Sequence, residues 1–206
     1  MIQRTNKRQK SKRDTRSPQR HRIAQDAAVL ASRASLIFAT PWGWMGISES
    51  PKGIDALVLP KRSKRAAESE LQALNGEGRL ILSSPRLDAA RNQLMDYLSG
   101  RRNSFDLPLD LSKGTAFQRQ VWRTLQRVPY GKLRSYQWVA TRVGGRRYAR
   151  AVGNAVGANP LPIVIPCHRI VAQDSSIGGF SGGLSTKRRL LTLEGTLRYL
   201  KASQRA

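Results

Sequence analysis

Cys167 is the only cysteine in the chain, and it stands between Pro166 and the pair His168-Arg169. A lone cysteine is ordinarily a small buried hydrophobe, but a neighbouring imidazolium or guanidinium favours the thiolate, which is a soft nucleophile. Both kinds of neighbour are present here. Adjacent side chains on an extended strand point to opposite faces, so Cys167 and His168 communicate only if the chain turns between them or a water joins them. Glu194 offers a third member. It falls at the end of a helix expected over Thr186 to Leu193, where the helix dipole disfavours a carboxylate unless a cation is near. That position allows two readings, a solvated surface glutamate and a partner for the histidine. One cysteine excludes an internal disulfide, and His21 and His168 are too few to complete a Cys/His zinc cluster, so no metal site is expected.

The segment that carries Cys167 runs Asn159-Pro160-Leu161-Pro162-Ile163-Val164-Ile165-Pro166-Cys167-His168-Arg169-Ile170. Three prolines exclude a helix and disfavour a central strand, leaving a fixed, irregular segment. Upstream, Thr115 can cap a helix with Phe117, Val121, Trp122 and Leu125 on its apolar face, which Pro129-Tyr130-Gly131 stops. Two shorter helices follow, Ser135 to Val143 and Arg146 to about Ala158, broken by Gly144-Gly145, in the outline of a helix-turn-helix. On the second helix Tyr148, Val152 and Val156 form one stripe and Ala149, Gly153 and Gly157 a smooth one beside it. Two glycines in a short helix cost about 1 kcal/mol each relative to alanine, which points to close approach by another body. Another helix or, given Arg150 on the opposite flank of the smooth stripe and Arg146 between the two stripes, a nucleic-acid backbone fits that description.

Lys and Arg total 37 against 13 Asp and Glu, a net charge of +24 over 206 residues. Such an excess fits a polyanionic partner, nucleic acid first, although a solvated basic surface has the same composition. Met1 to about Arg22 is rich in Arg and Lys with almost no large apolar side chain, and is expected to be a disordered tail. Short apolar runs broken by turns from Ser35 to Leu59 read as a strand meander, and Leu87, Ala90, Leu94 and Leu98 fall at helical spacing. No run of about 18 apolar residues and no apolar signal-peptide core is present, so no membrane partner is expected. A cytoplasmic location follows for a bacterial chain, a nuclear one for a eukaryotic chain.

Ile165-Pro166-Cys167-His168-Arg169-Ile170, with Arg150-Ala151-Val152-Gly153 before it and Gly179-Phe180-Ser181-Gly182-Gly183 after it, closely resembles the O6-alkylguanine-DNA alkyltransferase family. The strong match runs from about Gly114 to Gly195, and a looser one around Thr40-Pro41-Trp42-Gly43-Trp44-Met45-Gly46 extends it. The resemblance implies an α/β N-terminal ribonuclease H-like domain over about residues 31–110. A mainly α C-terminal winged helix-turn-helix-like domain over about 111–200 follows, between tails at 1–30 and 201–206. It implies single-use repair, in which Cys167 takes the alkyl group from O6-alkylguanine, and from O4-alkylthymine, in double-stranded DNA. No cofactor is required, and the protein acts as a monomer. His168 takes the thiol proton through a water, Glu194 holds His168, and Asn159 braces the turn and the thiol. Tyr136 hydrogen-bonds the flipped guanine, Ser181 contacts O6, and Arg150 replaces the extruded nucleotide in the stack. Gln137, Val156, Pro162, Phe180 and Ile170 complete the residues that bind the alkylguanine or its DNA. Phe180 replaces a tyrosine common in the family, keeping the ring and losing a hydroxyl.

Two other functions share some of these features. A lesion-binding helix-turn-helix protein without transfer would use the same DNA-facing helix, and a cysteine hydrolase would use Cys167, His168 and Glu194. The cysteine argues against the first, and the smooth, arginine-flanked helix against the second.

Overall fold

The meander is three antiparallel strands in the order β1 (Ala34–Thr40), β2 (Gly43–Ser50) and β3 (Gly53–Lys61). These come from a computed structural model that describes residues 34–75 and 84–200; the basic tail expected at the N-terminus lies outside the described residues. At the β1–β2 turn the Thr40 hydroxyl accepts from the Trp42 N–H at 3.1 Å and donates to the Gly43 carbonyl at 2.7 Å. Gly43 adopts φ 123°, a backbone conformation that strongly favours glycine. β3 is buried along Gly53 to Leu59 because both of its faces are covered. Ala56 and Val58 pack against Ala67 and Leu71 of α1 (Lys64–Asn75), while Ile54, Leu57 and Leu59 join the main core.

Helix α1 was not among the elements expected from the sequence. Its start is capped by the Ser63 hydroxyl, which accepts from the Ala66 N–H at 3.2 Å. Only Ala67 and Leu71 of its residues are buried in the second cluster, so its apolar stripe is too thin to stand out among charged neighbours. The next helix, α2 (Pro85–Leu98), has Ser84 as its N-cap and Pro85 in its first turn, and buries Leu87, Ala90, Leu94, Tyr97 and Leu98. Beyond it the chain runs alongside the open edge of β3. The Ile54 N–H donates to the Pro108 carbonyl and the Asp110 N–H to the Ile54 carbonyl, both at 2.8 Å, which satisfies an edge that would otherwise be exposed.

The second half is mainly helical. α3 (Ala116–Gln126) opens on a capping box in which Thr115 and Gln118 satisfy each other's backbone N–H. α4 (Tyr136–Val143) is capped by Ser135, and α5 (Ala149–Gly157) follows the Gly144-Gly145 break. The sequence suggested one helix from Arg146 to about Ala158; instead Arg146–Tyr148 form a single 3-10 turn, and the α-helix begins at Ala149. The tight glycine break, with Gly144 at φ 147° and the Tyr148 ring packed over it, accounts for the narrower first turn. The Trp122 indole N–H donates to the Ala155 carbonyl at 2.8 Å and locks α3 to α5. Two-residue strands β4 (Arg134–Ser135) and β5 (Ile170–Val171) pair in parallel, and α6 (Leu184–Leu193) closes the unit. One continuous buried cluster runs from Leu36 and Ile47 through Leu94, Tyr97 and Leu125 to Cys167, Ile170 and Leu190.

Candidate active site

Cys167 is held by a turn that the N-terminal sheet helps to fix. The Leu57 N–H of β3 donates to the Pro160 carbonyl at 2.9 Å, anchoring the start of the proline-rich segment. Asn159 then braces the turn from within. Its carbonyl oxygen accepts from the Leu161 N–H at 3.0 Å, and its amide nitrogen donates to the Ile165 carbonyl at 2.8 Å and lies 3.1 Å from Cys167 Sγ. Ile163 is buried at φ 76°, a conformation costly for a β-branched residue and held here by the surrounding packing. At Pro166 (φ −79°, ψ 63°) the chain makes an inverse γ-turn, closed by the Cys167 N–H donating to the Ile165 carbonyl at 2.7 Å. Cys167–Arg169 form one 3-10 turn, so the thiol and the imidazole leave the backbone in different directions. The chain therefore turns between the two residues.

Glu194 sits at the C-cap of α6 with its side chain fully buried, which excludes the solvated reading. The cation that the helix dipole requires is Arg169. Its Nη2 donates to Glu194 Oε1 at 2.9 Å, its Nε bridges both carboxylate oxygens at 3.0 and 3.1 Å, and its Nη1 donates to the Val128 carbonyl. His168 Nε2 lies 2.8 Å from the same Oε1, and the Gly131 N–H donates to Oε2 at 3.1 Å. With donors from His168 and Arg169 the carboxyl pKa drops to about 2, despite its burial. An ionised Glu194 accepts and cannot donate, so the shared proton belongs to His168 Nε2 and the lone pair to Nδ1. Burial lowers the imidazole pKa, opposed by the bond to Glu194, and Nδ1 has no hydrogen-bond partner in the protein. This is a neutral base with its acceptor nitrogen unoccupied by protein.

Burial pushes the Cys167 thiol up to about 11, against the pull of the Asn159 hydrogen bond and the Lys187 charge. Arg169, which the sequence offered as a thiolate-stabilising neighbour, is engaged by Glu194 instead. The nearby cation is Lys187 of α6, fully buried, whose Nζ donates to the carbonyls of Ile170 at 2.6 Å and Gly179 at 3.1 Å. Burial lowers its pKa to about 8. Lys187 thereby ties the segment carrying Phe180 and Ser181 to the strand that follows the nucleophile.

The residues assigned to base and DNA binding divide by exposure. Pro162, Ile170 and Val156 are buried, and Tyr136, Gln137 and Phe180 half-buried. Ser181 and Arg150 are exposed. The Tyr136 hydroxyl has only a long 3.5 Å contact to the Gly179 carbonyl, and its pKa is raised by burial and by Cys167. Asn159, Pro162, Ser181 and Gly182 line a cleft of about 300 Å³ shared with Leu57 and Leu59 of the sheet. On α5, a methyl group added at Gly153 or Gly157 would meet nothing within 4 Å, so these two positions of the smooth stripe face open space, while Ala149 packs against the core. Among the described residues no group of three or more His, Cys, Asp or Glu is placed to hold a metal ion. No described helix is long and apolar enough to cross a membrane.

Residues 116–196 match the family model described as 6-O-methylguanine DNA methyltransferase, DNA binding domain. The constitutive methylated-DNA–protein-cysteine methyltransferase of Bacillus subtilis is 39% identical over 156 residues, which make up 75% of this chain and 91% of the relative. The chain belongs to the methylated-DNA–protein-cysteine methyltransferase family. The relative of that name from Mycolicibacterium paratuberculosis is 48% identical over 112 residues, 54% of this chain and 67% of its own length. Among solved structures, Mycobacterium tuberculosis OGT in complex with DNA superposes with a TM-score of 0.66 at 32% identity, covering 80% of this chain and 94% of that one. The N-terminal sheet followed by a helical C-terminal unit is therefore an arrangement this methyltransferase shares with its relatives. Three residues around the thiol escaped the sequence reading: Lys187, Tyr97 and Arg169 in its role as counter-ion to Glu194. Lys187 was detectable in principle, since it falls three residues before Leu190 on the buried face of α6. Tyr97 and the Arg169–Glu194 pair depend on contacts distant in sequence, which no local pattern encodes.

Proposed function

We propose that this protein repairs O6-alkylguanine in double-stranded DNA by moving the alkyl group to Cys167, once per molecule. The observation that carries this reading is the buried thiol braced by Asn159, beside a neutral His168 whose Nε2 is bound to Glu194 and whose Nδ1 remains an acceptor. In the step, the thiol proton passes through a water to His168 Nδ1 and the sulfur attacks the alkyl carbon. A carbon–sulfur bond forms, the bond to O6 breaks, and its electron pair stays on a guanine anion that the Tyr136 hydroxyl stabilises. The proton lost by the thiol balances the one the base regains. The thioether has no leaving group that water can displace, so Cys167 is not regenerated.

The target carbon is unreachable inside a stacked duplex, so the nucleotide must be flipped at a cost of about a few kcal/mol. Arg150, exposed near the start of α5, supplies the side chain that takes its place, and the open glycine stripe lets the helix approach the minor groove. Gln137, Val156, Pro162, Phe180, Ser181 and Ile170 form the surroundings of the flipped base. The same step serves O4-alkylthymine. The three-stranded meander with helices packed on it supports a ribonuclease H-like N-terminal domain ending near residue 110, and α4–α5 with the following loop supports a winged helix-turn-helix. The protein acts as a monomer, without cofactor, in the compartment that holds the DNA.

The test is intact-protein mass after mixing with a duplex carrying O6-methylguanine. The expected result is a stoichiometric gain of one methyl group, mapped to Cys167. An unchanged mass in the presence of tight lesion binding would overturn the proposal.

A further inference from the structure

Tyr97 belongs to the last turn of α2, in the N-terminal unit, yet its hydroxyl reaches the centre of the reactive cluster. The ring is fully buried, 5.3 Å from Phe105 between centroids and edge-on to Tyr130 at 6.1 Å and 83°. The hydroxyl donates to Glu194 Oε1 at 2.6 Å, the shortest of the bonds that oxygen accepts, and its oxygen is 3.3 Å from His168 Nε2. A side chain present only to fill the core needs no hydroxyl, and phenylalanine would serve there. Burial and the adjacent carboxylate push the phenol pKa far above its ordinary value, so the hydroxyl keeps its proton and Glu194 receives it. The lone pairs of Tyr97 then face the Nε2–H.

We propose that Tyr97 is a positioning residue for alkyl transfer: its hydroxyl, reaching Glu194 and Nε2 of His168 from the N-terminal unit, fixes the imidazole proton on Nε2 and keeps Nδ1 as the base. The inference rests on the function proposed above. Three groups close a cycle. Tyr97 donates to Glu194, Glu194 accepts from His168, and the Nε2–H is shared between Glu194 and the phenol oxygen. The other tautomer would set the Nε2 lone pair against a carboxylate and a phenol oxygen, and a ring flip would put a carbon there, so either would cost Glu194 Oε1 one of its donors. The groups acting on His168 are Glu194, Arg169 and Lys187 of α6, with the Tyr97 hydroxyl of α2 at 3.3 Å; Tyr130 faces Glu194 and Arg169 behind them.

Tyr97→Phe removes the shortest donor from Oε1 while Arg169 stays in place. A carboxylate with one donor fewer binds an imidazolium more tightly, so the His168 pKa rises. The chain has only two histidines, His21 and His168. Nitrogen-15 labelling of histidine in a His21→Gln background therefore reports the His168 ring alone. The wild-type ring is expected to be neutral at pH 7 with the proton on Nε2. In Tyr97→Phe the ring is expected to titrate at least about half a pH unit higher. The acid limb of the single-turnover methyl-transfer rate should move with it, and the rate at neutral pH should fall about tenfold.

A wild-type ring protonated on Nδ1 would overturn the inference without any variant. So would a Tyr97→Phe protein whose ring titration and pH–rate profile superimpose on the wild type, even with a lower melting temperature. Phe105→Leu, which loosens the same packing and leaves the hydroxyl, is expected to lower the melting temperature without moving the ring titration; an equal move would also overturn it. If wild type transfers no methyl group at all, the proposed function fails, and the ring measurements still decide the role of Tyr97.

Discussion

A thiol whose pKa is pushed up to about 11 is almost wholly protonated at neutral pH, so Cys167 has little thiolate of its own and needs the proposed relay to react. Iodoacetamide at pH 7.5 is therefore expected to modify native Cys167 at least about a hundredfold more slowly than it modifies free cysteine, whose pKa is about 8.5. Mass spectrometry reads this directly, because no other cysteine competes. Equal rates would mean that burial does not control the thiol. Glu194 carries the opposite shift, from an ordinary value of 4.5 down to about 2. The stabilisation from its ionised form is complete above about 4.5 and disappears as the pH falls through about 2, and it amounts to about 3 kcal/mol. Glu194→Gln is expected to lose about that much or more at pH 7, because it leaves the buried Arg169 guanidinium without its anion. Urea midpoints should then show a large gap between wild type and variant at pH 7 that narrows as the pH falls through that window. A gap independent of pH would assign the loss to packing alone.

At the scale of elements, α5 combines a stability cost with access to its surface. Gly153→Ala replaces a poor helix former, and its added methyl meets open space, so the melting temperature is expected to rise by the equivalent of about 1 kcal/mol. The same methyl stands on the face proposed to meet DNA. Repair of O6-methylguanine in a duplex is expected to slow, while transfer from free O6-benzylguanine keeps its rate. Arg150→Ala, on the same helix, should show the same division between substrates without the gain in stability. Equal losses on both substrates would remove α5 from the DNA interface. This helix was legible in the sequence because its stripes repeat at the helical period, and Gly144-Gly145 marks the break before it, though not the 3-10 turn that precedes Ala149. The proline-rich segment was legible only as something other than a helix. Its inverse γ-turn at Pro166 and the positive φ of Ile163 are imposed by Asn159 and by the bond from Leu57 to Pro160, partners that local sequence does not reveal. α1 was missed for a different reason, its narrow apolar stripe being surrounded by charge.

For the whole molecule, the site depends on both halves of the chain: the sheet anchors the cysteine turn, and α2 sends Tyr97 into the Glu194 cluster. Charge is distributed just as widely. Of the 37 Lys and Arg residues, ten precede Ala34. A basic segment neutralises phosphates and releases counterions, so the logarithm of duplex affinity falls with the logarithm of salt by about 0.9 per phosphate engaged. Removing residues 1–33 is therefore expected to weaken binding to undamaged duplex and to flatten that slope by several units. Preference for a lesion should survive, because Arg150, Tyr136 and the cleft beside Asn159 remain. Transfer from free O6-benzylguanine, which has no phosphate backbone, should be unchanged. Parallel salt titrations of the full and shortened chains check this. Coincident slopes would show that the charge at the N-terminus does not reach the DNA, and that the basic residues of the folded part account for all of its phosphate contacts.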